Sequence, residues 1–471
     1  MAGDTGGAVH HRITHYCRGD GKLRDSRGQC IRSLPTLWRG AGASSVVAMP
    51  SPASPATALA APESRITLID ALRGSALAGL FFVHCVEHFE LARYPQDQSP
   101  LLKQLDGWTN DTAFFLFSGK AYAIFAMMFG VSFMLILQSW TRKGIDVRTR
   151  FPWRLLLLGA LGYLNALVYS GDILLVLAIL GLPLVLLYRL PDKVLGWLAV
   201  LFLLQIPNGW EALRCILQPG YAPAAPLHWS LYGTVCQAQA ESSLPDLLRL
   251  LAWKGQGVRL LFTYETGRYT QMLGLFLCGL LIGRHHLFEN AAAARRLAWR
   301  ALILGIVGFA LFQPVKGMLA DWGVTGMRGY YVSTWLGAYC NLAQMAVWVG
   351  GFVLLYLGGW RRALDWFVPL GRMSLTAYVT QALFFVPFFY GYGLGLYRHL
   401  GQFHSVLCGL AFIVVQTAVA KLWLRYFQYG PLEWLWRAGT NRTLKTPLRR
   451  RAQAAAAVPD APAAELAGAR D

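Results

Sequence analysis

Residues 65–90, RITLIDALRGSALAGLFFVHCVEHFE, constrain this chain more than any other stretch. Ala71 to Val86 is mostly apolar and long enough for most of a bilayer crossing. Yet Asp70 and Arg73 stand at one end, and His84, Glu87 and His88 at the other. Ionisable groups in a spanning helix are costly, so they face protein or a wet cavity. Arg73 and His84 are three turns apart, on one helix face and roughly 16 Å from each other. Asp70 lies one turn before Arg73 and His88 one turn after His84, on the same stripe. A purely topological reading is equally open, with Arg73 anchoring the helix at the headgroups and His84 ending it.

The rest of the chain fits a membrane bundle. Of 471 residues, 55% are hydrophobic and 14% charged, where a soluble domain has about a quarter charged. Several apolar runs reach spanning length. The expected fold class is therefore all-α, a polytopic bundle of about ten transmembrane helices with both termini cytoplasmic. A net charge of +19 would suit nucleic acid, but the excess lies in the tails and in short loops between apolar runs. That is the positive-inside pattern, and nucleic acid is excluded as a partner.

Residues 1–64 are polar, basic and then Ala/Pro/Ser-rich. They lack a signal peptide's pattern and are expected to be disordered, with Met49 as an alternative start. Residues 441–471 read the same way. Between them, 65–440 forms the bundle. The first helix is followed by apolar segments at about 112–138, 152–169, 172–188 and 194–207. The cluster Arg142, Lys143, Arg148, Arg150 and Arg154 marks the cytoplasm, so the first helix runs outward. A loop at 208–243 is expected outside. Residues 244–262 are expected as a helix lying in the interface. Five further crossings follow, and each strongly basic connector falls on the same side. Glu265 and Arg268 are expected at the interface. Glu433, Trp434, Trp436 and Arg437 are expected on an amphipathic helix along the inner leaflet. Cys215 and Cys236, both in the external loop, allow a disulfide. No spacing suggests a metal site or a bound cofactor.

Five stretches, in this order, resemble the YeiB-like bacterial inner-membrane family, also called domain of unknown function 418. They are LIDALRGSALAGL (68–80), KAYAIFAMMFG (120–130), GDILLVLAILGL (171–182), GRMSLTAYVTQ (371–381) and YFQYGPLEWLWR (426–437). The family's usual form has Asn where this chain has Ala377. The resemblance implies a multi-pass protein of the bacterial inner (plasma) membrane. The family is distantly similar to the transmembrane acyltransferase superfamily, whose first helix carries a basic residue, ten residues and then His. Arg73 and His84 fit that spacing.

Acyl transfer needs a general base and stabilisation of an oxyanion. His84 is the candidate base, and Asp172, expected on the same side, is the candidate group to orient it. Asp172 can equally cap the fourth helix. Arg73, Lys120 and Arg372 are the candidate substrate-binding cations, with Arg73 holding the phosphates of an acyl-CoA co-substrate. Their bland readings are an Asp70 ion pair for Arg73, snorkelling for Lys120 and a pair with Asp365 for Arg372. Three functions stay open. One is an acyltransferase moving an acyl group from a cytoplasmic donor to a small-molecule or glycan acceptor in the membrane or periplasm. Another is a transporter of a small organic solute, with Arg73, Lys120 and Asp172 lining its path. The third is a non-catalytic protein whose partners are membrane lipids.

Overall fold

The computed structural model describes residues 62–449 except Pro219 and Glu289, with side chains from Thr67 onward. The expectations for residues 1–61, Met49 included, and for 450–471 fall outside the described residues. The described chain is helical. The first group is α1 (Pro62–Val86), α2 (Pro100–Leu116), α3 (Ala121–Arg142), α4 (Val147–Ala166), α5 (Leu174–Leu187) and α6 (Asp192–Leu203). Then come α7 (Ile206–Leu217), α8 (Leu227–Glu241), α9 (Leu244–Leu250), α10 (Gln256–Glu265), α11 (Arg268–Arg284) and α12 (Ala291–Gly317). The last are α13 (Gly326–Leu357), α14 (Arg361–Leu364), α15 (Val368–Arg372), α16 (Ser374–Phe389), α17 (Gln402–Tyr426) and α18 (Pro431–Asn441).

Six stretches are long and apolar enough to cross a membrane: 67–86, 100–142, 192–217, 291–317, 326–357 and 402–426. This is a helical membrane protein. Within α1, 78% of the apolar window is buried; within α12 only 11% is. So α1 is the central helix and α12 faces the surroundings. Packed around α1 are α2, α3, α13, α15, α16 and α17.

Glycines set how close the central helices come. A Cβ on Gly371 would lie 1.8 Å from the Asp70 carbonyl oxygen, and one on Gly74 2.0 Å from that of Phe367. The backbones of α1 and α15 therefore touch. Gly130 of α3 and Gly279 of α11 make the same approach, each 2.0 Å from a carbonyl oxygen of the other helix. Small residues at helix crossings are the usual means of tight packing in membranes. Gly371→Ala and Gly279→Ala are expected to cost about 1–3 kcal/mol each by overpacking. Gly107→Ala, exposed with open space around it, should stabilise by up to about 1 kcal/mol through helix propensity. Thermal unfolding in one detergent checks all three.

Several sequence expectations change. The loop at 208–243 is largely helical, holding most of α7 and all of α8. Pro207 does not end the fifth crossing; it sits in the first turn of α7, where a missing N–H is harmless. Residues 244–262 form a helix that bends through a π turn at Leu251–Gly255 and turns Arg259 inward. Cys215 and Cys236 are free thiols; Cys236 Sγ donates to the Glu90 carbonyl instead. Residues 441–449 fold back on the body, with the Gln428 N–H donating to the Leu448 carbonyl at 2.9 Å.

Candidate functional site

The face of α1 carrying Arg73, Leu80 and His84, continued by Glu87 just past its end, lines two cavities, one toward each end of the bundle. The larger, about 520 Å³, opens at the end that holds the basic connectors. Its charged walls are four guanidiniums (Arg73, Arg154, Arg372 and Arg437) against two carboxylates (Asp70 and Glu433). Local pairing decides which charges are spare. Arg73 donates to Asp70 Oδ1 at 3.0 Å and to Ser132 Oγ at 2.8 Å. Glu433 accepts the N–H groups of Leu375 and Thr376 at 2.7 and 3.0 Å and so caps the start of α16. Arg154 lies 3.6 Å over the Trp436 ring, and Arg437 4.3 Å over that of Tyr429. Among the described residues neither has a carboxylate within ion-pairing distance. An excess of two positive charges therefore faces a large, partly apolar space, which suits an anionic ligand with an apolar or extended arm.

Two expectations meet here. Arg372 does join Arg73 at one cavity. The stretch expected along the inner leaflet instead docks as α18 and supplies Glu433, Trp436 and Arg437 to the wall. Arg154, read from sequence only as a topology marker, is the residue that reasoning missed.

The smaller cavity, about 90 Å³, lies around His84. The chain reaches it through an uncommon turn. After Val86, His88, Phe89 and Glu90 all adopt left-handed backbone angles, with φ of 48°, 56° and 66°. L-residues take this conformation rarely and seldom in succession, so the surroundings must hold it. They do. His88 meets the Arg93 carbonyl at 2.9 Å and Ser405 Oγ at 2.8 Å through its two ring nitrogens. Tyr390 Oη donates to the Phe89 carbonyl at 2.7 Å, and Tyr232 Oη to that of Glu90 at 3.0 Å. At the exposed rim Arg93 bonds Glu241 at 2.8 Å, and that hydrogen bond holds the Glu241 carboxyl below its ordinary range.

This turn brings Glu90 back to the cavity that His84 and Glu87 line. Glu90 pairs with Arg259 at 3.3 Å, and Arg259 Nε donates to the Asp172 carbonyl at 3.2 Å. His84 Nδ1 lies 2.8 Å from Tyr169 Oη. Tyr122 Oη bonds Gln271 Oε1. Arg268 stacks over the rings of Phe262 and Tyr122 at 4.5 and 4.7 Å. A Cβ on Gly171 would lie 2.3 Å from Tyr169 Oη and 2.6 Å from Glu90 Oε1, so a larger residue there would displace both groups. Leu80, Ile173 and Tyr378 line both cavities and form the septum between them. The Ile173 N–H donates to Tyr378 Oη at 3.3 Å.

Asp172 and Lys120 are corrected. Asp172 does not touch His84. Its Oδ1 accepts the N–H groups of Leu174 and Leu175 at 2.8 and 3.3 Å, and Oδ2 takes Asn165 Nδ2 at 2.7 Å. It caps α5, and Tyr169 holds the imidazole. Lys120 is buried and donates to the Phe114 carbonyl at 3.0 Å, so it closes the end of α2 and lines neither cavity. Asp172→Asn keeps a capping oxygen. It is therefore expected to keep near wild-type stability, while Asp172→Ala loses about 0.5–2 kcal/mol with the cap. Unfolding midpoints measured on both variants check the cap.

A helical membrane bundle with a guanidinium-rich cavity and a histidine-bearing cavity back to back is the class of protein these features define. Residues 282–443 match the family described as "Protein of unknown function (DUF418)". The chain is 28% identical over 408 residues to "Uncharacterized protein YxaH" of Bacillus subtilis (strain 168), covering 80% of this chain and 94% of that one. It is 25% identical over 409 residues to "Uncharacterized protein YeiB" of Escherichia coli (strain K12), covering 81% and 97%. Over most of its length the chain is similar to YeiB-like proteins, and its C-terminal part matches the DUF418 family. No solved structure matches it significantly. The five stretches that carry the resemblance each place side chains on these cavities, from Arg73 in the first to Arg437 in the last.

Proposed function

We propose that this protein is a membrane acyltransferase, taking an acyl group from a cytoplasmic acyl-CoA and passing it through the bundle to an acceptor at the far side. The reading places the protein in the bacterial inner membrane with ten crossings. These are the six long apolar stretches together with α4, α5, α11 and α16, and the basic connectors lie inside. The observation that carries it is the shared septum: the anion-suited cavity and the His84 cavity adjoin along one face of α1.

Each part then has a task. Arg154, Arg372 and Arg437 hold the donor phosphates, and Arg73, fixed by Asp70 and Ser132, braces that wall. A thioester must sit about 16 Å farther along α1 to reach His84. It passes Leu80 and Tyr378, so Tyr378 must swing aside. With Nδ1–H donating to Tyr169 Oη, His84 Nε2 keeps the lone pair that a base needs. The acceptor's hydroxyl or amine attacks the thioester carbon. The new C–O or C–N bond replaces C–S, and the acceptor's proton passes through His84 to the departing thiolate.

Transport is the second reading, since adjoining cavities also suit alternating access. Of the three residues expected on its path, Arg73 alone lines either of these two cavities. Purified protein in liposomes decides between them. Acyl transfer predicts thioester cleavage of labelled acyl-CoA that rises when acceptor is present. Counterflow of a solute without thioester cleavage would overturn it.

A further inference from the structure

Among the described residues, not every charged group around His84 is hydrogen-bonded or ion-paired. Glu90 is consumed by Arg259, and His84 Nδ1 by Tyr169. Two groups are left over. The Glu87 carboxylate and the Arg268 guanidinium both face the 90 Å³ cavity, and among the described residues neither side chain makes a hydrogen bond or ion pair. Arg268 is held only by stacking on Phe262 and Tyr122, which leaves its N–H groups free to bond a ligand in the ring plane. Glu87 continues the last turn of α1, its N–H donating to the Val83 carbonyl at 2.9 Å, and stands one turn beyond His84's neighbour Val83, just ahead of the left-handed residues.

Burial, with Glu90 beside it, pushes the Glu87 carboxyl up to about 8, so an arriving ammonium is the partner that holds it ionised, while Arg268 offers only donors; together they suit a ligand with the converse pair. A lone anion would leave Glu87 unmatched, a lone cation would leave Arg268 unmatched, and unpaired charge in such surroundings is costly. The volume is about that of three waters, which admits a few heavy atoms. We propose that this cavity binds the amino-carboxylate pair of a small zwitterion, carboxylate on Arg268 and ammonium on Glu87. That pair comes either from a free α-amino acid or from a serine lipid headgroup. Treating it as the acyl acceptor rests on the acyl-transfer reading; binding itself needs no donor.

The test is binding to the whole protein in phosphatidylcholine nanodiscs without acyl-CoA, followed by calorimetry and thermal unfolding. The probes are L-serine, ethanolamine, propionate and glycerol, with a parallel set of nanodiscs containing phosphatidylserine. The proposal expects saturable L-serine binding at least tenfold tighter than any single-charge or neutral probe. If the headgroup is the natural source, phosphatidylserine raises Tm instead. Glu87→Gln, which keeps size and shape, is expected to weaken either response at least tenfold, as is Arg268→Gln. Glycerol or propionate binding as well as L-serine, or no response to serine in either form, overturns the proposal. Serine binding without thioester cleavage would leave the site standing and remove only the acyl-transfer reading.

Discussion

Under the proposed acyl transfer, His84→Ala is expected to lower the rate by about 10²–10⁴-fold, the usual worth of a positioned general base. The loss should appear in kcat, with the donor KM nearly unchanged, because the guanidinium cavity is built by other residues. Tyr169→Phe removes only the hydroxyl that holds Nδ1, and its effect should be smaller, about tenfold, at the same donor KM. Initial rates at saturating acyl-CoA measure both. A His84→Ala protein that folds and turns over normally would show that the imidazole only fills space beneath Tyr169.

The second large effect lies at the opposite end of α1. Arg154→Gln and Arg437→Gln each remove a guanidinium that has no carboxylate partner in the described structure. A charge-assisted hydrogen bond contributes about 1.5–3 kcal/mol, so each change should raise the donor KM about 10–100-fold. The double variant should exceed either, and added salt should weaken donor binding in the wild type most. Arg73→Gln is expected to act differently. Its guanidinium is committed to Asp70 and Ser132, and removal leaves the buried Asp70 uncompensated, so stability falls along with donor binding. KM values against acyl-CoA, set beside unfolding midpoints, distinguish the two kinds of arginine.

How far the sequence reaches can be argued residue by residue. Spacing along one helix is reliable, because 3.6 residues per turn fixes which side chains share a face. That is why the Asp70–Arg73 pair and the stripe from Arg73 to His84 are legible, and why α1 is recognisable as central. Spacing says nothing about which neighbour a face meets. Arg154 and Arg437 sit in basic stretches that read identically whether they touch headgroups or line a cavity. Arg259 falls in a stretch, 244–262, that reads as a helix on the membrane surface. The π turn at Leu251–Gly255 rotates it toward Glu90, and a regular helical period cannot show that. Asp172 illustrates the converse. Its position just before an apolar run signals a helix cap, and the cap is what the structure holds. Tyr169 gave no signal of its own, since an aromatic near a helix end is ordinary packing until His84 is placed beside it. The turn at His88–Glu90 was equally silent, because none of its residues is glycine.

The most direct measurement is an experimental structure of the protein in nanodiscs with a non-hydrolysable thioether analogue of acyl-CoA. The account predicts phosphate density among Arg154, Arg372 and Arg437, Tyr378 displaced from its bond to the Ile173 N–H, and the acyl end within reach of His84 Nε2. Density for the analogue outside both cavities, or a filled guanidinium cavity with the acyl arm pointing into lipid, would contradict it.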